Sequence, residues 1–202
     1  MNIKNIAISG IILCFIYFLT VTIFVISGSQ NWLIIFEIVT MISGIYFVIL
    51  ILFLPLSNNE KKRIYKILAI IFVTALMVFT NLVHIINLTI ICNKINVPNH
   101  FQLGKMPSII TLTEYFGWGI FMGLAFMFSS IGIENEIKLR PIKITLLICS
   151  ILCFISFFGS LINENLWYIA PLGYGIGTLI ICIENLLLER NKKVKNQHLT
   201  NG

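Results

Sequence analysis

Three side chains that can exchange protons or bind a ligand stand inside long apolar stretches of this sequence. They are Glu37, His84 and Glu114. An ionisable side chain at the centre of a bilayer costs about 2.5–3.5 kcal/mol on insertion scales, so such residues usually face the interior of a helix bundle. A fourth, Glu184, stands near the end of the last apolar stretch, where its side chain can reach the membrane interface. The first three are therefore the candidate functional residues.

A polar stripe surrounds the histidine. Asn81, His84 and Asn87 recur every three residues, which places them on one face of a helix. Polar groups buried in an apolar medium are stable only when partners satisfy their hydrogen bonds. We therefore expect Glu37 and Glu114 to face His84 from two neighbouring helices.

Aromatic residues accompany the second acid. Trp118 follows Glu114 by one helical turn, and Tyr115 is adjacent in sequence. Residues four apart in a helix are neighbours on its surface. The expected ligand-binding residues are Glu37, Asn81, His84, Asn87, Glu114, Tyr115 and Trp118.

Four interpretations of these residues remain open: hydrogen bonds that hold helices together, a pocket for a small ligand or lipid headgroup, proton or ion handling, and enzymatic chemistry. A catalytic zinc site usually needs three protein ligands and an open position, whereas only one histidine lies in an apolar stretch. A Ser-His-Asp triad is excluded because the chain contains no aspartate. No glycine-rich nucleotide motif follows a strand. The sequence therefore predicts no catalytic residue, metal or cofactor.

Six apolar stretches fill almost the whole chain. Hydrophobic residues make up 58% of it and charged residues 11%, against about 25% charged in soluble domains. A bilayer core needs roughly 20 apolar residues in a helix. We therefore predict an all-α, polytopic membrane protein, with one six-helix domain over residues 1–188 and a basic, disordered cytoplasmic tail over 189–202. The predicted spans are Ile6–Ser27, Trp32–Leu56, Ile67–Cys92, Thr111–Ile133, Ile144–Ile162 and Tyr168–Leu188.

The positive charges indicate an orientation. Twelve of the fourteen lysines and arginines fall in the amino-terminal segment, residues 57–66, residues 134–143 and the tail, while Lys94 and Lys105 lie on the opposite side. Basic loops stay in the cytoplasm, so both termini are predicted to be cytoplasmic in an inner (plasma) membrane. The net charge of +6 thereby faces lipid headgroups rather than nucleic acid. Glu37, about 8 Å below the interface at 1.5 Å per residue, then lies in the outer half, as do His84 and Glu114.

Small residues recur at helix-packing spacing. Gly119 and Gly123 are four apart, as are Gly173 and Gly177, and such pairs let helices approach closely in lipid. Packing within the chain and a homodimer through Gly119 and Gly123 are both compatible with this spacing.

Three segments of this chain are similar to segments of a known group of proteins. They are the stretch from Asn81 to Thr89, the stretch from Glu114 to Phe126, and Pro171-Leu-Gly-Tyr-Gly175. In these segments the chain resembles a family of small six-helix bacterial membrane proteins with no assigned activity. The resemblance implies a six-helix bundle and supplies no substrate and no catalytic residue.

The function expected from these features is non-enzymatic. A polar pocket in the outer half of the bundle would bind a small ligand or a lipid headgroup. One alternative is a small transporter or substrate-binding membrane subunit, although the inner half shows little of the polar path that transport requires. The other is a structural or regulatory membrane partner.

Overall fold

Six membrane-spanning helices form the molecule in this computed structural model. The structure describes residues 3–57 and 59–200, apart from the side chains of residues 61 and 192–200, and within this part it contains no strand. The six helices long and apolar enough to cross a bilayer are Ile3–Ser27, Gln30–Phe53, Lys62–Cys92, Ile109–Gly132, Ile137–Ser160 and Glu164–Asn191. The predicted all-α, six-span membrane fold is thus confirmed, and the chain is a multi-pass membrane protein.

Two of the spans are not regular α-helices throughout. The fourth consists of two α-helices joined by a π-helical turn at Gly117–Phe121, and the sixth begins with a 3₁₀ turn and a π-helical turn at Leu172–Ile176. The α-helices are α1 (Ile3–Ser27), α2 (Gln30–Phe53), α3 (Glu60–Cys92), α4 (Ile109–Phe116), α5 (Met122–Gly132), α6 (Arg140–Ser160) and α7 (Gly177–Thr200).

Two boundaries differ clearly from the prediction. Helix α3 begins at Glu60 rather than Ile67, because the basic residues predicted as loop are good helix formers that extend the span out of the lipid. Helix α7 continues past Leu188, and its backbone is helical as far as Thr200. The helix thus enters the segment predicted to be a disordered tail, of which residues 201–202 lie outside the described part.

The spans form a ring in chain order. Helix α1 packs against α2 and α7, α2 against α3, α3 against the fourth span, the fourth span against α6, and α6 against the sixth span. Aromatic side chains fill the centre: the ring of Phe47 meets those of Trp118 and Phe126 edge to face. Large apolar side chains such as Phe15, Val25 and Ile26 are exposed on the outside, as expected of a lipid-facing surface.

The two ends of the bundle differ in how their connections are tied. At what we call the basic end, residues 54–57 and 133–139 meet through a bridge between Leu56 and Ile133. Lys62 Nζ donates to the Ile133 carbonyl at 2.8 Å, and the Ser57 hydroxyl donates to Glu134. These contacts join the second–third connection to the fourth–fifth.

At the opposite end, here called the loop end, residues 93–108 form the longest connection. Gly104 has a φ of +78°, which favours glycine. The Thr111 hydroxyl accepts from the Gly104 amide at 2.9 Å and donates to the Gln102 carbonyl at 3.2 Å. Ser108 caps α4 by accepting from the Thr111 amide. The loop is thereby tied to α4 one turn before Glu114.

The paired glycines pack inside the chain. A Cβ on Gly119 would lie 2.4 Å from Phe157 Cβ, and one on Gly123 would lie 2.9 Å from the Phe154 ring. Phe154 and Phe157 belong to α6. In the sixth span, Gly173 and Gly177 lie against Cys149, which is also on α6. Both glycine pairs are thus used for packing within the chain.

Candidate functional site

Three ionisable side chains from three helices converge near the loop end. His84 Nδ1 contacts Glu37 Oε2, and His84 Nε2 lies 3.0 Å from Glu114 Oε1. Glu37 and His84 are 1% and 2% exposed. The imidazole of α3 thus lies between a carboxyl of α2 and a carboxyl of α4, as expected from the sequence. We call these three residues the charged trio.

Two further side chains donate hydrogen bonds to the acids of the trio. Asn87 Nδ2 donates to Glu37 Oε1 at 2.8 Å, and Trp118 Nε1 donates to Glu114 Oε1 at 2.7 Å. Both oxygens of Glu37 therefore have a hydrogen-bond partner, whereas Glu114 Oε2 is buried without one. The two acids therefore differ in their hydrogen bonding, a difference that the sequence does not predict.

A cleft of about 450 Å³ opens at the loop end above the trio. Glu37 and Asn87 are at its floor, and Glu37 is the one ionisable side chain among its lining residues. Residues 95–97 and 102–104 of the long connection form one wall. Its apolar walls include Phe24, Leu33, Phe36, Ile90, Ile91 and Leu103.

The π-helical turns lie beside the trio. The turn Gly117–Phe121 carries Trp118, and the turn Leu172–Ile176 carries Tyr174. The two rings are in contact, with centroids 4.5 Å apart. Single π-helical turns occur frequently at functional sites, because an extra residue redirects the side chains that follow it.

Two of the predicted site residues do not join the network. The Tyr115 ring stacks on Trp167, with centroids 3.9 Å apart, and Tyr115 does not line the cleft. Consecutive helical residues point about 100° apart, and Tyr115 cannot follow Glu114 toward α3. Asn81 shares the α3 face with His84, but its side-chain oxygen is buried with no hydrogen-bond partner. Glu184 pairs with Thr145 at 3.1 Å, apart from the trio.

Two residues outside the predicted set also shape the site. Tyr17 of α1 packs against Phe36 at 5.5 Å between ring centroids and interacts electrostatically with both acids. Thr111 holds the loop that walls the cleft. Neither residue carries a sequence signal, because a tyrosine or threonine in an apolar stretch is common and its direction depends on packing.

Within residues 3–57 and 59–200 no group of three histidine, cysteine, aspartate or glutamate side chains is arranged to hold a metal ion. Both ring nitrogens of His84 already contact carboxylates. The arrangement is instead one that can store protons and present negative charge to the cleft.

Comparison of the chain with protein-family models, with curated proteins and with solved structures finds no match. The function of the site must therefore be inferred from its geometry, its burial and its charge.

Proposed function

We propose that this membrane protein binds a small ligand, or the headgroup of a lipid, in the cleft at the loop end. The observation that carries the proposal is the cleft itself, which ends on Glu37 and Asn87. Small-molecule sites are concave and mostly apolar, with a few polar groups that orient the ligand. This cleft has that composition, with apolar side chains on its walls and an acid and an amide at its floor.

The alternative of structural hydrogen bonds alone explains less of the site. To hold two helices together, each polar side chain needs only one partner on the other helix. Such a hydrogen bond stabilises a membrane protein by about 0.6 kcal/mol on average. Such hydrogen bonds do not require a cleft that reaches the buried acid. They also leave Glu114 Oε2 buried and unpaired, which costs free energy. A site that changes its charge when a ligand binds accounts for both features.

The proposed orientation places the cleft on the extracellular side of a plasma membrane. The basic end carries Lys62, Arg63, Lys138, Arg140 and Lys143 in the short segments that flank the spans. Such segments remain in the cytoplasm. Both termini are then cytoplasmic, and the ligand enters the cleft from outside or from the outer leaflet.

The experiment that tests the proposal compares a substitution on α3 with one directly after the end of α3. Thermal unfolding of the purified protein is measured with a panel of small organic cations, anions and neutral compounds and of short-chain phospholipids. We expect at least one class to raise the unfolding midpoint of the wild type and of Asn93→Leu, but not of Asn87→Leu. Asn93 is exposed at the end of the helix and does not line the cleft. Equal shifts in both variants, or no shift with any member of the panel, would contradict binding in the cleft.

A further inference from the structure

The number of protons in the charged trio follows from its contacts. Each close nitrogen–oxygen contact between a ring nitrogen and a carboxyl needs one hydrogen between the two atoms. His84 makes two such contacts, so the trio holds at least two protons. An imidazolium between two carboxylates and a neutral imidazole beside one carboxylic acid both satisfy this count. With two protons, either arrangement carries a net charge of −1.

No lysine or arginine of the part of the chain that the structure describes compensates this charge. In the described part of the chain, the ion pairs of Glu37 and Glu114 are with His84, and no lysine or arginine contacts them. The other titratable groups near the acids are Tyr17 from α1, Tyr174 from the sixth span and Tyr115, which follows Glu114 in the chain but stacks on Trp167. Ordinary tyrosines are neutral below about pH 10. With only two protons the trio would therefore be a buried, uncompensated negative charge, which is costly in a membrane.

Two agents can neutralise the trio, and the structure provides a place for each. A third proton can bind at Glu114 Oε2, which is buried without a partner, while Glu114 Oε1 keeps its bonds to His84 and Trp118. A cation can bind in the cleft at Glu37, whose Oε1 accepts one N–H from Asn87 and has a second lone pair for another donor.

We propose that the cleft binds a primary ammonium group in exchange for one proton of the trio. This rests on the proposed function and names its ligand class. In the empty state three protons make the trio neutral. When the ammonium donates to Glu37, the proton on Glu114 leaves to water and the trio becomes a −1 partner for the +1 ligand. Charge and atoms balance: one cation enters the site and one proton leaves it.

The walls of the cleft select the rest of the ligand. The side chains of Phe24, Phe36 and Ile90 favour an apolar group beside the ammonium, because burial contributes about 25 cal/mol per Å² of apolar surface. A free amine with a small apolar body and the ethanolamine headgroup of a phospholipid share the required N–H donors. A quaternary ammonium lacks those donors.

Calorimetric titration of the full-length protein tests the exchange. The probes are 2-phenylethylammonium, its neutral analogue 2-phenylethanol, 3-phenylpropionate, and short-chain phosphatidylethanolamine and phosphatidylcholine. Titration in two buffers with different ionisation enthalpies counts the protons released. We expect a primary ammonium to bind with release of close to one proton. Its affinity should rise up to tenfold per pH unit while the third proton is bound. Whichever of the free amine and phosphatidylethanolamine binds with the higher affinity identifies the source of the ligand.

Matched variants separate the site from general effects of charge. Glu37→Gln removes the acid at the floor and should abolish binding of the ammonium probes. Glu164→Gln removes an exposed acid at the same end of the bundle and should leave binding and proton release unchanged. The wild-type proton count needs no variant, so it remains decisive even if Glu37→Gln folds poorly.

Two results would overturn the exchange. One is ammonium binding that releases no proton and does not depend on pH. The other is binding of 2-phenylethanol or 3-phenylpropionate as tight as that of the ammonium, which would leave ligand binding in the cleft intact and remove its cation selectivity. No binding of any probe, together with no effect in the thermal panel, would reject both proposals.

Discussion

At the residue scale, His84 is the side chain on which the site depends, since it separates the buried Glu37 from the largely buried Glu114. Removing one partner of a buried ionic pair typically costs about 3–5 kcal/mol, and His84→Ala leaves Glu37 and Glu114 facing each other without it. We expect a clear loss of stability, measured as the midpoint of thermal unfolding in detergent.

The control is His100→Ala, because His100 is exposed in the long connection and forms no part of the trio. His198, which the sequence offers as a second comparison, lies among the residues whose side chains are not described. Equal tolerance of substitution at the three histidines would argue against a structural and functional role for the trio.

At the scale of helices, the close packing of the fourth span on α6 is set by Gly119. Its added Cβ would lie 2.4 Å from Phe157 Cβ, whereas a Cβ on Gly44 would meet its nearest neighbour at 3.6 Å. We expect Gly119→Ala to destabilise the protein by about 1–3 kcal/mol, the usual cost of overpacking a core, and Gly44→Ala to be tolerated. Thermal unfolding and size-exclusion chromatography measure the two effects. A dimer that dissociates without loss of monomer stability would instead assign Gly119 to an interface between copies.

The connections at the basic end predict a dependence on acid pH. Hydrogen bonding from Ser57, together with the charge of Lys62, lowers the pKa of Glu134 below its ordinary value of 4.5. A carboxyl with a lowered pKa in the folded state stabilises the protein above its ordinary pKa, and this contribution disappears as the pH falls through the folded-state pKa. The wild type should therefore be more stable than Glu134→Gln at pH 7, and the difference should shrink below about pH 4.

Glu136→Gln provides the comparison for that experiment. Glu136 pairs with Lys138 at 2.6 Å, but both side chains are at least half exposed, and exposed ion pairs contribute little. The same pH-dependent difference in Glu136→Gln would show that overall charge, rather than the contact between the two connections, is responsible.

At the scale of the whole molecule, the charge distribution predicts which end of the bundle faces the cytoplasm. In a variant without native cysteines, a membrane-impermeant maleimide should label Lys105→Cys in intact cells. It should label Glu136→Cys only after the membrane is permeabilised. The reverse pattern would place the cleft on the cytoplasmic side and reject the proposed entry of the ligand from outside.

The number of spans and the presence of buried acids were readable from the chain because both depend on local composition. Twenty apolar residues cross a bilayer wherever they occur. The three-residue spacing of Asn81, His84 and Asn87 places them on one helix face without further information. Tyr115 shows the limit: its neighbour Glu114 points toward α3, and only the position of Trp167 reveals where Tyr115 itself points.

Sequence by itself determined the membrane class, the six spans and the common level of Glu37, His84 and Glu114, since helical rise and hydropathy act within each segment. Tertiary structure alone decided that Glu37 and Glu114 take opposite sides of one imidazole, that Glu114 keeps a free oxygen, and that a cleft ends on Glu37. The physical reason is that the rotation of each helix about its axis depends on how its neighbours pack. Contacts between distant segments set that rotation, so it cannot be predicted from the periodicity of one segment.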